Sequence, residues 1–283
     1  MKFTKIHSLG NDFLVIDEDS SPAISEKEAL VRQICKRHTG VGGDGLLFIS
    51  TRDQDKDIFD LRIFNADGTE PAMSGSGLRC ASAFIYRQKK ISSNRIILNT
   101  TIGSRECEVI DQKNNWFQIK IEMGTPLFSS QEIPFDDGSF HKEVIDYPLI
   151  INKKTFPITL VSLGNPHCVM FFDRIPARIE WQQLAYEIEF HPFFPKKTNI
   201  EFTRVINRKE IEVMFWERGV GETLSSGSGS CAAAVASILK DLTESTVNVK
   251  TSMGITTVEW NEGKVHQTGS AQIVFDGHYF SNS

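Results

Sequence analysis

Two serine-bearing loops carry the most chemical information in this chain. Ser74-Gly75-Ser76-Gly77 and Ser226-Gly227-Ser228-Gly229 lie 152 positions apart, and a glutamate stands four residues before each, Glu70 and Glu222. Each loop follows a strand-like run, Phe59–Phe64 or Ile211–Trp216. Each opens a helical run of small residues, Leu78–Tyr86 or Ser230–Lys240. Glycines allow close backbone approach to a ligand. The amides and dipole of a helix N-terminus suit a carboxylate or phosphate. Either loop alone is well explained as a glycine-rich turn. The matched pair, with glutamate at the same offset, points instead to two similar lobes. Each would direct a hydroxyl and a helix end at one small anion.

Three further stretches bear on chemistry. Gly40-Val41-Gly42-Gly43-Asp44-Gly45 fits G-x-G-x-x-G, but a helix-like segment precedes it and a strand follows. That is the reverse of a dinucleotide site, so a tight turn lining a pocket is the better reading. Gly164-Asn165-Pro166-His167 presents a histidine at the start of a strand, where a turn can aim it into a site. Trp216-Glu217-Arg218-Gly219 ends a strand just before the second loop; a surface ion pair is the plainer reading and a site role the sharper one. Neither GxxxxGK[ST] nor HExxH occurs, and no metal site is expected.

The positioning elements are mostly strands. Phe13–Ile16 and Leu46–Ile49 read as buried strands, and Phe117–Met123 alternates strictly between apolar and polar. Thr159–Ser162, Cys168–Phe172, Val205–Ile206 and Ile255–Trp260 continue the pattern. A last strand, Gln272–Phe275, is followed by Asp276-Gly277. Ser25 to Arg37 has helical spacing, with Ser25 as N-cap and Glu28 completing a capping box. Gln131 to Glu143 is polar, with an Asp136-Asp137-Gly138 turn. Strands dominate and do not alternate regularly with helices, so the class is α+β. The boundary falls near Gly124: residues 1–123 form an N-terminal lobe completed by a C-terminal strand at 272–283, and 124–271 form the C-terminal lobe.

Bulk properties narrow the partners. The chain has 283 residues, 40% hydrophobic and 24% charged, with net charge −5, enough for two packed lobes. No basic block suggests nucleic acid. No apolar run approaches the ~18 residues of a membrane span, and no secretory signal is read at the N-terminus. The five cysteines, Cys35, Cys80, Cys107, Cys168 and Cys231, show no CxxC spacing, so neither a disulfide framework nor a zinc site is expected. The expected location is the cytoplasm.

The motifs together resemble the diaminopimelate epimerase family. The resemblance runs through Met1–Lys5, Gly10–Phe13, Arg37–Gly45, Arg62–Gly68, Gly164–His167, Thr198–Phe202 and Glu217–Thr223. It implies two similar lobes of mixed sheet, each around a central helix, with a ligand cleft between them. It implies cofactor-independent epimerisation of L,L- to meso-diaminopimelate, in lysine and peptidoglycan synthesis. The partner would be a small diamino dicarboxylic acid, not nucleic acid or membrane, and a homodimer is compatible. By the same resemblance Asn11, Asn65, Asn165, Asn199, Glu217 and Arg218 would hold the substrate's amino-acid head. Gly75, Ser76, Gly227 and Ser228 would cradle its α-carboxylate, and His167 and Glu217 would assist proton transfer.

The chain departs from the family at the reacting groups. The family reads Cys-Gly-Asn-Gly and Cys-Gly-Thr-Gly where this chain has Ser74 and Ser226 as the lead residues, and Ser76 for the Asn. A thiol near pKa 8.5 is readily tuned to a thiolate at a helix N-terminus; a serine hydroxyl is not. Activity as written is therefore expected to be very low. Three readings stand: an epimerase whose cysteines were replaced, a natural relative catalysing a one-base proton shift, and a non-catalytic binder of diamino acids.

Overall fold

The structure, a computed structural model, describes residues 1–71, 73–91 and 93–280. Ala72, ahead of the first serine loop, and the final three residues of the expected 272–283 strand lie outside them. The chain forms two compact units, Met1–Glu122 with the chain from Thr268 on, and Met123–Gln267.

The first unit runs β1 (Lys2–Ser8), β2 (Asn11–Asp17), α1 (Lys27–Ile34), β3 (Gly45–Asp53), β4 (Ile58–Asn65), α2 (Gly75–Arg87), β5 (Arg95–Thr100), β6 (Gly103–Lys113) and β7 (Trp116–Gly124). The second contains β8 (Tyr147–Ile151), β9 (Lys154–Ser162), β10 (Pro166–Phe171), α3 (Arg178–Glu189), β11 (Asn199–Asn207), β12 (Glu210–Glu217), β13 (Gly221–Thr223), α4 (Gly227–Leu239), β14 (Thr246–Thr251) and β15 (Gly254–Asn261). β16 (Lys264–His278) begins in the second unit and continues in the first.

Strands of the first unit pair in the order β1-β2-β3-β4-β5-β6-β7-β16, and β1 also pairs with β16, closing a ring. Gly75 to Ile85 of α2 is buried without interruption, and the helix packs on β1, β2, β3 and β6. A helix buried on all sides must be apolar all round, and Gly-Ser-Gly-Leu-Arg-Cys-Ala-Ser-Ala-Phe-Ile meets that need apart from Ser76, Arg79 and Ser82. Arg79, 1% exposed, donates through Nε to Ser8 Oγ at 2.7 Å. On the opposite sheet face Leu14, Ile16, Leu46, Phe48 and Phe64 pack with Val31 and Ile34 of α1. Strands covered on both faces read as unbroken apolar runs, which explains Phe13–Ile16 and Leu46–Ile49.

The second unit repeats this plan. Pairs β1–β2, β2–β3, β3–β4, β4–β5 and β5–β6 are antiparallel, parallel, antiparallel, parallel and antiparallel. Pairs β9–β10, β10–β11, β11–β12, β12–β14 and β14–β15 follow the same sequence. α4 is buried from Gly229 to Ser237, and α3 covers the other face through Trp181, Ala185 and Ile188.

Two local expectations need correction. α1 starts at Lys27 with Glu26 as N-cap and no side-chain capping bond, so the Ser25–Glu28 capping box does not form. Lys27 instead pairs with Glu18 at 2.6 Å and lies over the Phe48 ring. Nor does Asp276-Gly277 end the last strand. β16 continues to His278 because Asp276 accepts hydrogen bonds from Thr4 and Arg87, and Gly277 leaves room for Phe3, whose ring would lie 2.5 Å from a Cβ there.

The glycine turn at Gly40–Gly45 is a joint between α1 and β3. A Cβ at Gly45 would lie 2.3 Å from Phe64 O. Arg37 holds the turn by bonding Asp12 Oδ1 and Asp44 Oδ1, both at 2.7 Å, and Lys5 also reaches Asp12. Burial works to raise the pKa of Asp12, but the bonds from Arg37 and Lys5 prevail and hold it well below the usual range. A lowered carboxylate contributes stability above its unfolded pKa and loses it as pH falls through the folded one. Asp12→Asn should therefore lower unfolding free energy by about 1–2 kcal/mol at pH 7. The gap to wild type in urea unfolding should close as pH falls below about 4. An equal gap at pH 3 and pH 7 would show that the charge is not the source.

Candidate active site

Both serine loops end as helix N-caps. Ser74 has extended backbone angles and its Oγ accepts from Gly77 N at 3.0 Å; Ser226 does the same with Gly229 N at 3.3 Å. Each hydroxyl therefore satisfies the third amide of its helix. The amides of Gly75 and Ser76, and of Gly227 and Ser228, occupy the first two positions, where no intrahelical acceptor exists. Ser76 is buried and accepts from Arg79 at 3.4 Å.

In the second unit the structure links several expected residues. His167, 0% exposed, meets Glu201 Oε1 through Nδ1 at 2.7 Å and Asn165 Oδ1 through Nε2 at 3.0 Å. Asn165 Nδ2 donates to Ser228 Oγ at 3.2 Å. Asn199 Nδ2 donates to Pro166 O at 2.8 Å, and Asn199 Oδ1 accepts from Arg218 N at 2.9 Å. Asn199 thus staples the histidine turn to the arginine turn. Glu217 accepts from Thr223 Oγ1 at 2.9 Å, and the exposed Arg218 guanidinium donates to Lys196 O at 3.1 Å. In the first unit, Asn11 faces Ser8 where β1 turns into β2. Asn65 ends β4 and donates to Thr69 Oγ1 at 3.0 Å.

Glu201 is a buried acidic residue beside His167 that the motifs did not single out. It lies on β11 with its neighbours Ile200 and Phe202 facing the α3 side. The alternation turns Glu201 toward α4, where apolar packing would be expected. Asn165 Oδ1 can only accept, so His167 Nε2 donates. One proton then remains in the Nδ1–Oε1 contact, on either partner. Burial raises the pKa of Glu201, His167 opposes the rise and the Glu217 charge adds to it; the net direction is up. Its second oxygen, Oε2, is buried with no hydrogen-bond partner. A signal was present in the sequence: a lone Glu inside Asn199-Ile200-Glu201-Phe202, an otherwise buried strand.

Strand register shows where the repeat breaks. Phe13 pairs with Gly45 as His167 pairs with Asn199. Leu47 therefore matches Glu201, and Asn65 matches Glu217 at the ends of β4 and β12. The titratable trio His167, Glu201 and Glu217 has Phe13, Leu47 and Asn65 as its counterparts. The loop glutamates are occupied elsewhere. Glu70 takes two bonds from Arg62, at 3.2 and 3.0 Å, and Glu222 takes Arg178 and Gln182. All five cysteines are buried, and burial pushes Cys35 up to about 11 and Cys107 up to about 12. Among the described residues no group of three or more His, Cys, Asp or Glu could hold a metal ion. No helix among them is long and apolar enough to cross a membrane.

Two units of this topology, each around a buried helix, define the fold of a class of epimerases and racemases. A predicted epimerase from Pseudomonas aeruginosa shares it with a TM-score of 0.70, at 15% identity over 99% of both chains. A probable proline racemase from Agrobacterium radiobacter K84 does so with 0.70, at 13% identity over 100% of this chain and 93% of that one. The sequence narrows the class. The chain belongs to the diaminopimelate epimerase family, whose profile matches residues 3–128 and 159–274. It is 38% identical over 283 residues to diaminopimelate epimerase 1 of Nostoc sp. strain PCC 7120, covering 98% of this chain and 99% of that one.

Gly229 lies where these groups crowd. A Cβ there would lie 2.7 Å from Glu201 Oε1 and 2.9 Å from Phe215 Cδ1, whereas one at Gly77 would meet Ile63 Cδ1 at 3.2 Å. Gly229→Ala should lower stability by about 1–3 kcal/mol through overpacking. Gly77→Ala should stay within about 1 kcal/mol, since alanine's helix preference offsets the tighter contact. Equal losses in chemical denaturation would contradict the close approach of Glu201 to α4.

Proposed function

We propose that this chain is a cofactor-independent amino-acid isomerase scaffold that binds diaminopimelate. Its L,L-to-meso epimerisation is kept very low by serine at both acid–base positions. What carries the reading is the matched capping geometry of Ser74 and Ser226 in a member of this family. Epimerisation needs one group to remove the α-proton and another to return one on the opposite face. A thiol capping either helix would be drawn toward thiolate by the helix N-terminus. A hydroxyl keeps the shape and the hydrogen bond but has no accessible anion at neutral pH. The helix amides at Gly75, Ser76, Gly227 and Ser228 would receive the α-carboxylate. Asn11, Asn65, Asn165, Asn199, Glu217 and Arg218 would hold the remaining polar groups.

A second reading has its own support. The titratable side chains His167, Glu201 and Glu217 all belong to the second unit, and their register counterparts cannot titrate near neutrality. This one-sidedness suits a one-base proton-shift isomerisation, in which the same group removes and redelivers a proton.

Restoring the thiols separates the two. Ser74→Cys with Ser226→Cys should raise L,L-to-meso conversion by about 10²-fold or more, and either single change by far less. Wild type should bind diaminopimelate in calorimetry. A double variant that binds it yet shows no solvent-deuterium exchange at the α-carbon would remove the epimerase reading in favour of the one-base reading.

A further inference from the structure

Glu189, the last residue of α3, has a role that its sequence position does not announce. It is 3% exposed. Its Oε1 accepts from Gly219 N at 2.9 Å and its Oε2 accepts from Trp216 Nε1 at 2.7 Å. Lys197 Nζ lies 3.4 Å from Oε1 and sits over the Phe190 ring, 3.9 Å from its centroid. The two donors, Trp216 and Gly219, flank Glu217 and Arg218 in sequence, so one carboxylate grips the turn on both sides of that pair. Gly219 has φ +76°, a left-handed conformation that favours glycine. From the other side Asn199 Oδ1 accepts from Arg218 N, and Thr223 Oγ1 donates to Glu217 Oε1. The turn is thus fixed at 216, 217, 218 and 219.

We propose that Glu189 is a positioning residue that sets Glu217 and Arg218 for substrate by clamping the turn that carries them. This rests on the reading of Glu217 and Arg218 as substrate-holding residues. Glu189 is buried and both of its oxygens accept from the turn, so its part in binding is indirect. A carboxylate is the group that fits: it accepts at both oxygens, and a buried donor left facing another donor costs the full desolvation of that group. Glu189→Gln keeps the shape but leaves one of the two N–H groups facing an amide N–H₂.

The test uses the full chain and calorimetry with diaminopimelate. Glu189→Gln should weaken binding about 10-fold or more, and amide exchange at Gly219 should quicken while exchange in α4 is unchanged. Trp216→Phe, which keeps the ring and removes only the indole donor, should give a smaller change in the same direction. It also serves if the glutamine variant folds poorly. Arg218→Ala should weaken binding by itself, and adding Glu189→Gln to it should cost much less than in wild type. An equal further loss in that background would show that Glu189 acts on the fold at large, and would overturn the positioning role. So would faster Gly219 exchange with unchanged affinity. Unchanged Gly219 exchange would overturn the clamp itself. If wild type binds no diaminopimelate, the proposed function fails, and the exchange measurement still decides the clamp.

Discussion

Enclosing a whole helix within sheet is the constraint on which the rest of this structure depends. Such a helix has no wet face, so its residues must pack on every side, and its backbone can meet a ligand only at its ends. Both α2 and α4 open with Gly-Ser-Gly; beyond it α4 is mostly alanine, serine and cysteine, while α2 also buries Leu78, Arg79, Phe84 and Ile85. The N-terminus is where amides lack helical partners, so the opening turn is the end of the buried helix suited to an anion. Glycine is required at position 229 for space, as the approach of Glu201 shows. Fold and site are in this sense one requirement.

The repeated plan makes the differences between the units informative. Matched strand pairs place His167, Glu201 and Glu217 where the first unit has Phe13, Leu47 and Asn65. The first unit puts its buried polarity elsewhere, in Arg79 beneath the first turn of α2. One helix end is thus backed by a cation and the other by an imidazole–carboxyl pair. Two loops that look alike in sequence face different electrostatic surroundings.

Much of this was legible in the sequence. The 152-residue repeat announced two strand–loop–helix units, and the α+β class followed from strand patterning. His167 and Arg218 stood at strand ends where turns could present them. The illegible parts share a physical cause. Glu189 is distant in sequence from the turn it grips, and its role exists only once α3 has packed. Glu201 looks like any strand glutamate until alternation and register turn it inward. Ser25 looked like a capping residue, but Lys27 found Glu18 and Phe48, and tertiary contacts moved the helix start. Asp276-Gly277 looked like a turn until Arg87 and Thr4 took up the aspartate.

The closing strand has a consequence for how the molecule is made. The ring of the first unit is completed by β16, which arrives only after the whole of the second unit has been synthesised. During translation the stretch 123–267 is contiguous and has its own core, whereas β1 and β7 each wait with an unpaired edge. Open edges are templates for unwanted pairing, and ring closure between Lys2 and His278 is a contact of very long sequence separation, the slow kind. The earlier-made unit is therefore the later one to finish folding, and the nascent protein is most exposed to aggregation in the interval before β16 leaves the ribosome.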